Sequence, residues 1–525
     1  MDKFTAQRKA MYLLKKGKRG FFQIVFSRFG IAIFLLLLQI FLLVAGFTWF
    51  QDYRPFITTI NTALALIMII FLVNCRMDPN AKITWLVIVL FAPIVGPLFF
   101  LYTQADFGHR SLKWRLAKIH EETKDKIPQR KDNIAELKER SVGAASLSRY
   151  LYDTMGYPLY DKTNVTYFPQ GEDKFEALLT ELENARHFIF LEYFIIKEGE
   201  MWGEVLEILS RKAKEGVDIR LMYDGTNEVN LSHDYPKRLE KLGIKCRPFS
   251  PLTPFLSTHY NYRDHRKIVV IDGHTAFTGG INLADEYINI TSRFGHWKDT
   301  AVMVKGEAAK TFALLFLELW HVGDKHSQFD KFLSYHAPQY EKARGYVLPY
   351  GDSPLDDNKT GERVYMDILN RAEFYVHIMS PYLILDSELE TAIKFAAERG
   401  VDVSIILPGI PDKPIPYALA KSHYSSLIAS GVNIYEYSPG FIHAKSFVSD
   451  DREAVVGTIN CDYRSFYHHF ECGTYMYKTD CIPDIEADFQ QTLRKCRKVT
   501  KETIKKENFF MRLTGWLMKA FAPLL

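Results

Sequence analysis

Cysteine is scarce in this chain of 525 residues: Cys75, Cys246, Cys461, Cys472, Cys481 and Cys496 are all there is, and no two form a Cys-x-x-Cys pair. That excludes a disulfide framework and a closed zinc site, and leaves reduced, mostly buried thiols. An excess of one charge is also missing. Lys and Arg number 66 against 62 Asp and Glu, a net charge of +4, too balanced for a protein that coats nucleic acid. The chain has no Gly-x-x-x-x-Gly-Lys-[Ser/Thr] loop and no Gly-x-Ser-x-Gly elbow, so nucleotide hydrolysis and serine-esterase chemistry find no support. What is present is 47% apolar, 14% aromatic and 24% charged residues. Such a composition excludes global disorder and collagen-like or coiled-coil repeats. The length suits about two to four domains, or one large duplicated domain with additions.

Long apolar runs crowd the N-terminal region. Ile31 to Phe50 is 20 uncharged residues, and at about 1.5 Å per residue such a helix spans a hydrocarbon layer of roughly 30 Å. The run is too long for the apolar core of a cleaved leader and lacks a small-residue cleavage site after it. Phe56 to Val73 is a second run, of 18, and the short link Gln51 to Pro55 suits a tight hairpin. Ile83 to Tyr102 is a third, but Pro93, Gly96 and Pro97 break its helix ladder, so a kinked span or a re-entrant segment is expected. Residues 1 to 28 carry eight Lys/Arg against one acid, Asp2, which places the N-terminus in the cytoplasm. Arg110, Lys113, Arg115 and Lys118 after the third run prefer the same side. The expectation is therefore two spans, a re-entrant third segment and a cytoplasmic remainder: a multi-pass protein of the cell membrane. Arg494 to Arg512 holds eight basic residues against Glu502 and Glu507, and the chain ends FFMRLTGWLMKAFAPLL. This pattern reads as an interfacial helix on anionic lipid, with a helix packed on the globular part as the alternative.

Between about Asn164 and Cys496 the sequence repeats. In the first half Ala185 to Phe194 reads as a buried strand, Trp202 to Lys214 as an amphipathic helix and Gly216 to Tyr223 as a second strand; in the second, Ala372 to Tyr382, Leu389 to Arg399 and Gly400 to Pro408 follow the same order. Strand, helix, strand taken twice indicates an α/β domain of two similar lobes, joined through residues 330 to 360 with Pro338, Pro349, Gly351 and Pro354.

Each half reaches the same constellation. His265-Arg-Lys267-Ile-Val-Val-Ile-Asp272 and His443-Ala-Lys445-Ser-Phe-Val-Ser-Asp450 both read His-x-Lys-x-x-x-x-Asp, and Asn282 and Asn460 each lie 17 residues after their histidine. Side chains at i and i+2 of a strand share a face, so each histidine projects beside its lysine: a nucleophile paired with a phosphate-binding cation. The motif makes His265, Lys267, Asp272, His443, Lys445 and Asp450 the candidate catalytic set. Within it, the odd offset of Asp272 and Asp450 from their lysines points to a structural place, on the opposite face or in the turn ending the strand. Two such strands meeting across a pseudo-twofold axis give one site with two imidazoles, two ammoniums and two amides, which suits a phosphodiester.

The pattern resembles the phospholipase D superfamily. Asn261-Tyr-Arg-Asp-His-Arg-Lys, Gly279-Gly280-Ile-Asn282, Trp297-Lys-Asp299-Thr300 and Gly457-x-x-Asn460-x-Asp462-x-Arg464-Ser465 resemble its bacterial cardiolipin synthases over nearly the whole chain. Lys82-Ile-Thr-Trp85 and the Pro93/Gly96/Pro97 stretch are similar to that family's membrane region. One departure stands out: many superfamily members have Asn-x-Glu where this chain has His469-Phe470-Glu471, and His469 is expected at the surface rather than as a substitute polar contact. The resemblance implies two mixed β-sheets flanked by helices, preceded by an α-helical membrane region. It implies His265 as nucleophile and His443 as general acid then base, although the symmetry of the motifs leaves their order open. It also implies Asp299 as the residue orienting His265 and Glu471 as the one orienting His443, with Lys267, Lys445, Asn282 and Asn460 on the phosphoryl oxygens. No cofactor and no metal are implied.

The expected activity is transfer of a phosphatidyl group from one phosphatidylglycerol to another, giving cardiolipin and glycerol. A hydrolytic phospholipase or another phosphatidyltransferase, such as a phosphatidylserine synthase, is the alternative, and a non-catalytic lipid scaffold would have no need of two His-x-Lys pairs. Membrane anchoring and the lack of a concentrated basic groove disfavour a nuclease. The expected partners are phosphatidylglycerol and anionic membrane lipids, with no nucleic acid, and the oligomeric state, a homo-oligomer included, stays open. The expected organisation is a membrane region at 1–105, a basic linker at 106–155, lobes at 156–345 and 346–500, and an amphipathic end at 501–525.

Overall fold

The computed structural model of the chain describes residues 37, 41, 51–92, 95–104, 109–250, 262–324 and 327–524. The first apolar run, Ile31 to Phe50, lies outside them except for Leu37 and Phe41. The described residues divide into a smaller unit, those up to 112 with 516–524, and a larger one made of those in 113–250 and 262–515.

In the smaller unit the second apolar run forms the helix Arg54–Asn74, with Pro55 in its first turn, where a proline costs no intrahelical hydrogen bond. The third run breaks. Pro79–Phe91 is capped by Asp78, whose side chain accepts from the backbone N–H of Asn80 and Ala81, and a new helix, Val95–Gln104, follows the interruption at Ala92. Trp85 and Phe100 then meet edge to face with ring centroids 5.0 Å apart, whereas 15 residues of straight helix would separate them by about 22 Å. Gly96 permits the reversal, because a Cβ there would lie 2.9 Å from the Cα of Val89. Met68, Leu72, Trp85, Val89 and Phe100 form this unit's core. Leu66, Ile67, Ile70, Leu90 and Phe91 stay exposed. Among the described residues no helix is long and apolar enough to cross a membrane, so the expected span over Phe56 to Val73 is not met there.

In the larger unit the stretch expected as a basic linker is mainly helical, with Lys131–Arg140 and Val142–Met155 following the helix that ends at Thr123. Two mixed sheets come next. The first lobe contributes β1 (Asn164–Phe168), β2 (Phe188–Tyr193), β3 (Asp218–Asp224), β4 (Lys245–Phe249), β5 (Arg263–Asp264), β6 (Lys267–Ile271), β7 (Thr275–Gly279), β8 (His296–Lys298) and β9 (Ala301–Lys305). The second contributes β10 (Tyr346–Asp352), β11 (Tyr375–Met379), β12 (Leu383–Ile384), β13 (Asp402–Pro408), β14 (Asn433–Tyr437), β15 (Gly440–Ile442), β16 (Ser446–Ser449), β17 (Glu453–Gly457), β18 (Cys461–Asp462), β19 (His469–Tyr477) and β20 (Cys496–Lys498). The orders are β1-β9-β7-β6-β2-β3-β4 and β10-β19-β17-β16-β11-β13-β14-β20. Strand for strand the second sheet repeats the first and adds β20 at its edge, so the expected two similar α/β lobes are met. Helices cover these sheets, which is why Phe188–Tyr193 reads as an unbroken buried run rather than an alternating one.

Two short ribbons join the lobes. β8 pairs in parallel with β15, setting Trp297 opposite Phe441 and Lys298 opposite Ile442. β5 pairs in parallel with β19, setting Arg263 opposite His469 and Asp264 opposite Phe470. Each ribbon runs one residue further into a histidine on one lobe and a carboxylate on the other.

Candidate active site

Continuing those registers by one step gives the geometry of the site. After Asp264 and Phe470 come His265 and Glu471, and His265 Nδ1 lies 2.9 and 3.0 Å from the two carboxylate oxygens of Glu471. After Lys298 and Ile442 come Asp299 and His443, and His443 Nδ1 lies 2.7 Å from Asp299 Oδ2. The expected pairing is therefore corrected: Glu471 orients His265 and Asp299 orients His443, because parallel pairing between lobes sets each histidine beside the other lobe's acid. A carboxylate only accepts, so each bond holds the ring proton on Nδ1 and leaves Nε2 with its lone pair.

The carboxylates are themselves held. Glu471 accepts from Ser465 Oγ at 2.8 Å and from Thr458 Oγ1. Asp299 Oδ1 accepts from the backbone N–H of Thr300 at 2.8 Å. Gly280 lies against Asp299, where a Cβ would come within 2.0 Å of Oδ1. Thr458 and the packing role of Gly280 went unread in the sequence. Thr458 fills an unspecified position of the second motif, and a close approach is a tertiary property. Aromatic walls surround the rings: Phe194 stands 4.8 Å from His265, and Trp297 and Tyr287 stand 5.3 and 5.5 Å from His443, by centroids.

Lys267 and Lys445 are both buried, and each donates to the backbone carbonyl of its own histidine. Lys445 Nζ also lies 2.9 Å from His443 Nδ1. Burial depresses Lys267 to about 8, and burial, together with repulsion from Lys267, depresses Lys445 to about 7. Burial, then each ring's own lysine and after it the other lobe's, hold His265 well below its ordinary value and bring His443 to about 4 against the pull of Asp299. Four basic groups thus share one desolvated site, with both imidazoles neutral near pH 7.

The remaining expected residues divide. Asn282 Oδ1 accepts from the Ile195 N–H at 2.9 Å and its amide donates to the Tyr287 hydroxyl at 2.8 Å, so it ties the loop after β2 to the site wall. Asn460 is buried with its Oδ1 unpartnered among the described residues and a long 3.4 Å contact from Nδ2 to Asp462. Asp272 and Asp450 do not belong to the catalytic set. Both have positive φ, in the turns that follow β6 and β16. Asp272 accepts from the N–H groups of Arg186, His187 and Phe188, and Asp450 from those of Glu373, Phe374 and Tyr375. They anchor the starts of β2 and β11. His469 is not at the surface as expected: it is buried, with its ring 5.2 Å from that of His265 and Nδ1 3.5 Å from Glu471.

Among the described residues two clusters offer three donor atoms for a cation: His265, His469 and Glu471, and Glu362, Asp386 and Glu388. Neither suits one. Arg464 Nε lies 3.2 Å from His469 Nε2, which places the proton of a neutral ring on Nδ1, the atom that would ligate. The Lys359 ammonium already sits 3.4 to 3.7 Å from all three acids of the second cluster.

Comparison with known proteins follows this geometry. Residues 178–320 and 365–493 match the family described as cardiolipin synthase, PLD-like domain, and residues 63–102 match the phospholipase D-nuclease N-terminal family. A cardiolipin synthase of Alkalihalophilus pseudofirmus is 32% identical over 94% of this chain and 99% of its own length, and one of Halalkalibacterium halodurans is 33% identical over 95% and 100%. An uncharacterized protein of Streptococcus mutans is 56% identical over 87% of this chain and 99% of its own length. The crystal structure of a phosphatidylserine synthase from Haemophilus influenzae superposes with a TM-score of 0.55 at 15% identity, covering 69% of this chain and 93% of that one, which shows a shared fold.

Proposed function

The chain belongs to the cardiolipin synthase family of the phospholipase D superfamily, and we propose that it joins two phosphatidylglycerol molecules into cardiolipin and glycerol through a phosphohistidine at His265. The observation that carries this reading is the pair of neutral imidazoles, each bonded at Nδ1 to a carboxylate of the other lobe, beside two buried lysines.

In the first half-reaction His265 Nε2 attacks phosphorus, the bond from phosphorus to the glycerol oxygen breaks, and protonated His443 gives that oxygen its proton from Nε2. In the second, the glycerol hydroxyl of another phosphatidylglycerol returns a proton to His443, its oxygen attacks phosphorus, and the phosphorus–nitrogen bond breaks to restore His265. The phosphodiester's negative charge next to His443 offsets the repulsion from Lys445 and Lys267 and raises that ring toward the protonated form a general acid needs. Lys267, Lys445, the second N–H of the Asn282 amide and Asn460 Nδ2 bind the phosphoryl oxygens, worth about 3 kcal/mol per donor in the transition state. This chain's own side chains supply the positive charge at the phosphate.

The acceptor must outcompete water, which favours a site held at a bilayer. Exposed Phe509, Phe510, Leu513, Trp516 and Leu517 on the helix Phe509–Lys519, with Lys505, Lys506 and Arg512 beside them, support attachment to anionic lipid. The apolar N-terminal segments serve as the membrane region, with the lobes on the cytoplasmic side. Protease protection in oriented vesicles tests that sidedness, and cleavage of the lobes from the outer face of intact cells would refute it.

The deciding experiment reconstitutes the protein in phosphatidylglycerol vesicles with a chelator present and identifies products by mass spectrometry beside a His265→Ala sample. Cardiolipin with free glycerol, lost in the variant, is the expected outcome. Phosphatidic acid with glycerol would make water the acceptor and the protein a phospholipase.

A further inference from the structure

We propose that two loops, one from each lobe, form a rim that dips into an anionic lipid surface and feeds the site between the lobes. The first, residues 290–295, leads into β8, and the second, residues 409–413, follows β13 and runs into the first turn of the helix Pro414–Ala429. They meet at the entrance to the β8–β15 ribbon. The Ile410 N–H donates to Gly440 O at 3.2 Å and the His296 N–H to Pro439 O at 3.0 Å. A Cβ on Gly295 would sit 3.2 Å from Ile410 Cδ1. Asp299 and His443 stand at the other end of the same ribbon, three residues or roughly 10 Å further on.

The chemistry of the rim is that of a membrane contact. Ile290, Ile410 and Ile415 are 46, 40 and 44% exposed, an apolar set divided between the two loops and the helical turn that follows the second. Arg293 and Lys413 are exposed among them, while the Asp412 carboxylate is largely covered, accepting from the Tyr382 hydroxyl at 2.7 Å and lying 3.9 Å from Lys413 Nζ. The outward charge is therefore positive. Pro411 in the loop and Pro414 and Pro416 in the first turn of the helix stiffen this segment, so its apolar tip need not be ordered on binding. Behind it the Tyr382 ring stands 6.5 Å from Phe441, and Phe441 stands 5.9 Å from His443, a continuous aromatic wall from loop to imidazole.

The occupant is a bilayer rather than a protein because the rim continues into the basic amphipathic end. Pro414 opens the helix Pro414–Ala429, and Gly515 packs on that helix so closely that a Cβ would lie 2.2 Å from Ala418 O. Exposed Phe509, Phe510 and Leu513 thus flank the same helix. On the reading of phosphatidyl transfer given above, on which this inference rests, the rim seats on the lipid surface without itself binding substrate, and so holds the entrance at the depth from which a phosphodiester reaches the lysines.

Two measurements test the rim on the full chain in phosphatidylglycerol proteoliposomes. Spin labels at Ile290→Cys and Ile415→Cys are expected to be several-fold more accessible to oxygen than to a nickel chelate, against the reverse for Lys241→Cys; water-like accessibility at 290 and 415 would overturn the proposal. Cys246, Cys461, Cys472 and Cys481 are buried, and the half-buried Cys75 and Cys496 are replaced by serine before labelling. The Ile410→Asp/Ile415→Asp variant is expected to lose at least tenfold in turnover on vesicles while keeping turnover of monomeric short-chain phosphatidylglycerol within twofold. Equal turnover on vesicles would also overturn it. Should the unaltered protein make no cardiolipin, the functional reading fails, while the label depths still decide the rim.

Discussion

His265 Nδ1 and the Glu471 carboxylate are bonded at 2.9 Å although 206 residues separate them in the chain. The first lobe's histidine therefore depends on the second lobe's acid, and His443 with Asp299 repeats the dependence in reverse. Neither lobe holds a complete half of the acid–base machinery by itself.

The crossed pairing predicts which variants behave alike. With a phosphatidyl ester of p-nitrophenol, whose leaving group departs without a proton, Asp299→Asn and His443→Ala should still trap phosphohistidine, read by mass spectrometry after quench in neutral denaturant, where the phosphorus–nitrogen bond survives. Glu471→Gln and His265→Ala should trap none. On phosphatidylglycerol all four should fall by about 10³-fold or more, as when an orienting carboxylate or the base itself is removed from a triad. An exchange of the Asp299→Asn and Glu471→Gln results would mean that His443 is the nucleophile.

Gly280 predicts a loss of activity without a loss of fold. Its Cβ position is 2.0 Å from Asp299 Oδ1, so Gly280→Ala must move the carboxylate that orients His443. We expect kcat to drop by about 100-fold, the range for disturbing a residue that orients a reacting group, with an unchanged circular dichroism spectrum. Activity within threefold of the unaltered protein would refute this.

Asp272 and Asp450 predict the opposite split. Removing a charged acceptor of three backbone N–H groups costs about 2–3 kcal/mol, so Asp272→Ala and Asp450→Ala should lower the denaturation midpoint while kcat per folded molecule stays within a few-fold. Burial pushes the Asp450 carboxyl up, but the three N–H groups and Arg452 outweigh it and hold it below its ordinary value. Its stabilisation is thus complete above about pH 4, the unfolded value, and is lost as pH falls through the lower folded one. Denaturation of Asp450→Ala and the unaltered protein from pH 2 to 7 should show their difference closing at the acid end.

The lysines predict weaker anion binding in base. Burial brings Lys267 to about 8 and Lys445 to about 7, so each is charged below its value and neutral above it. A bound phosphodiester favours the charged forms. Calorimetry with glycerophosphoglycerol should show proton uptake on binding near neutrality, and an affinity that falls by about tenfold per pH unit for each lysine being titrated. Constant affinity from pH 7 to 9.5 would exclude both as anion ligands.

Much of this site was legible along the chain because its signals are local. The His-x-Lys spacing needs only the two-residue period of a strand to place His265 beside Lys267 and His443 beside Lys445. The odd offset of the same period put Asp272 and Asp450 on the opposite face or in the turn that ends the strand, and the structure has them in the turns. His469 was misread because its neighbours in space, Phe194, His265 and Arg464, come mostly from elsewhere in the chain. The break at Ala92 was expected from Pro93, whereas the return of Phe100 onto Trp85 needed the packing around Gly96.

The sequence by itself determined the duplication, the order of elements in each lobe, the two histidine–lysine pairs and the class of reaction. All of these rest on periodicity and repetition, which are properties of neighbours along the chain. Only the tertiary structure decided which acid serves which histidine. The repeat fixes what each lobe contains but carries no information about how two lobes align, and that alignment is set by the parallel registers of β5 with β19 and β8 with β15. A slip of one residue in either ribbon would turn the carboxylate to the other face and leave its histidine without a partner.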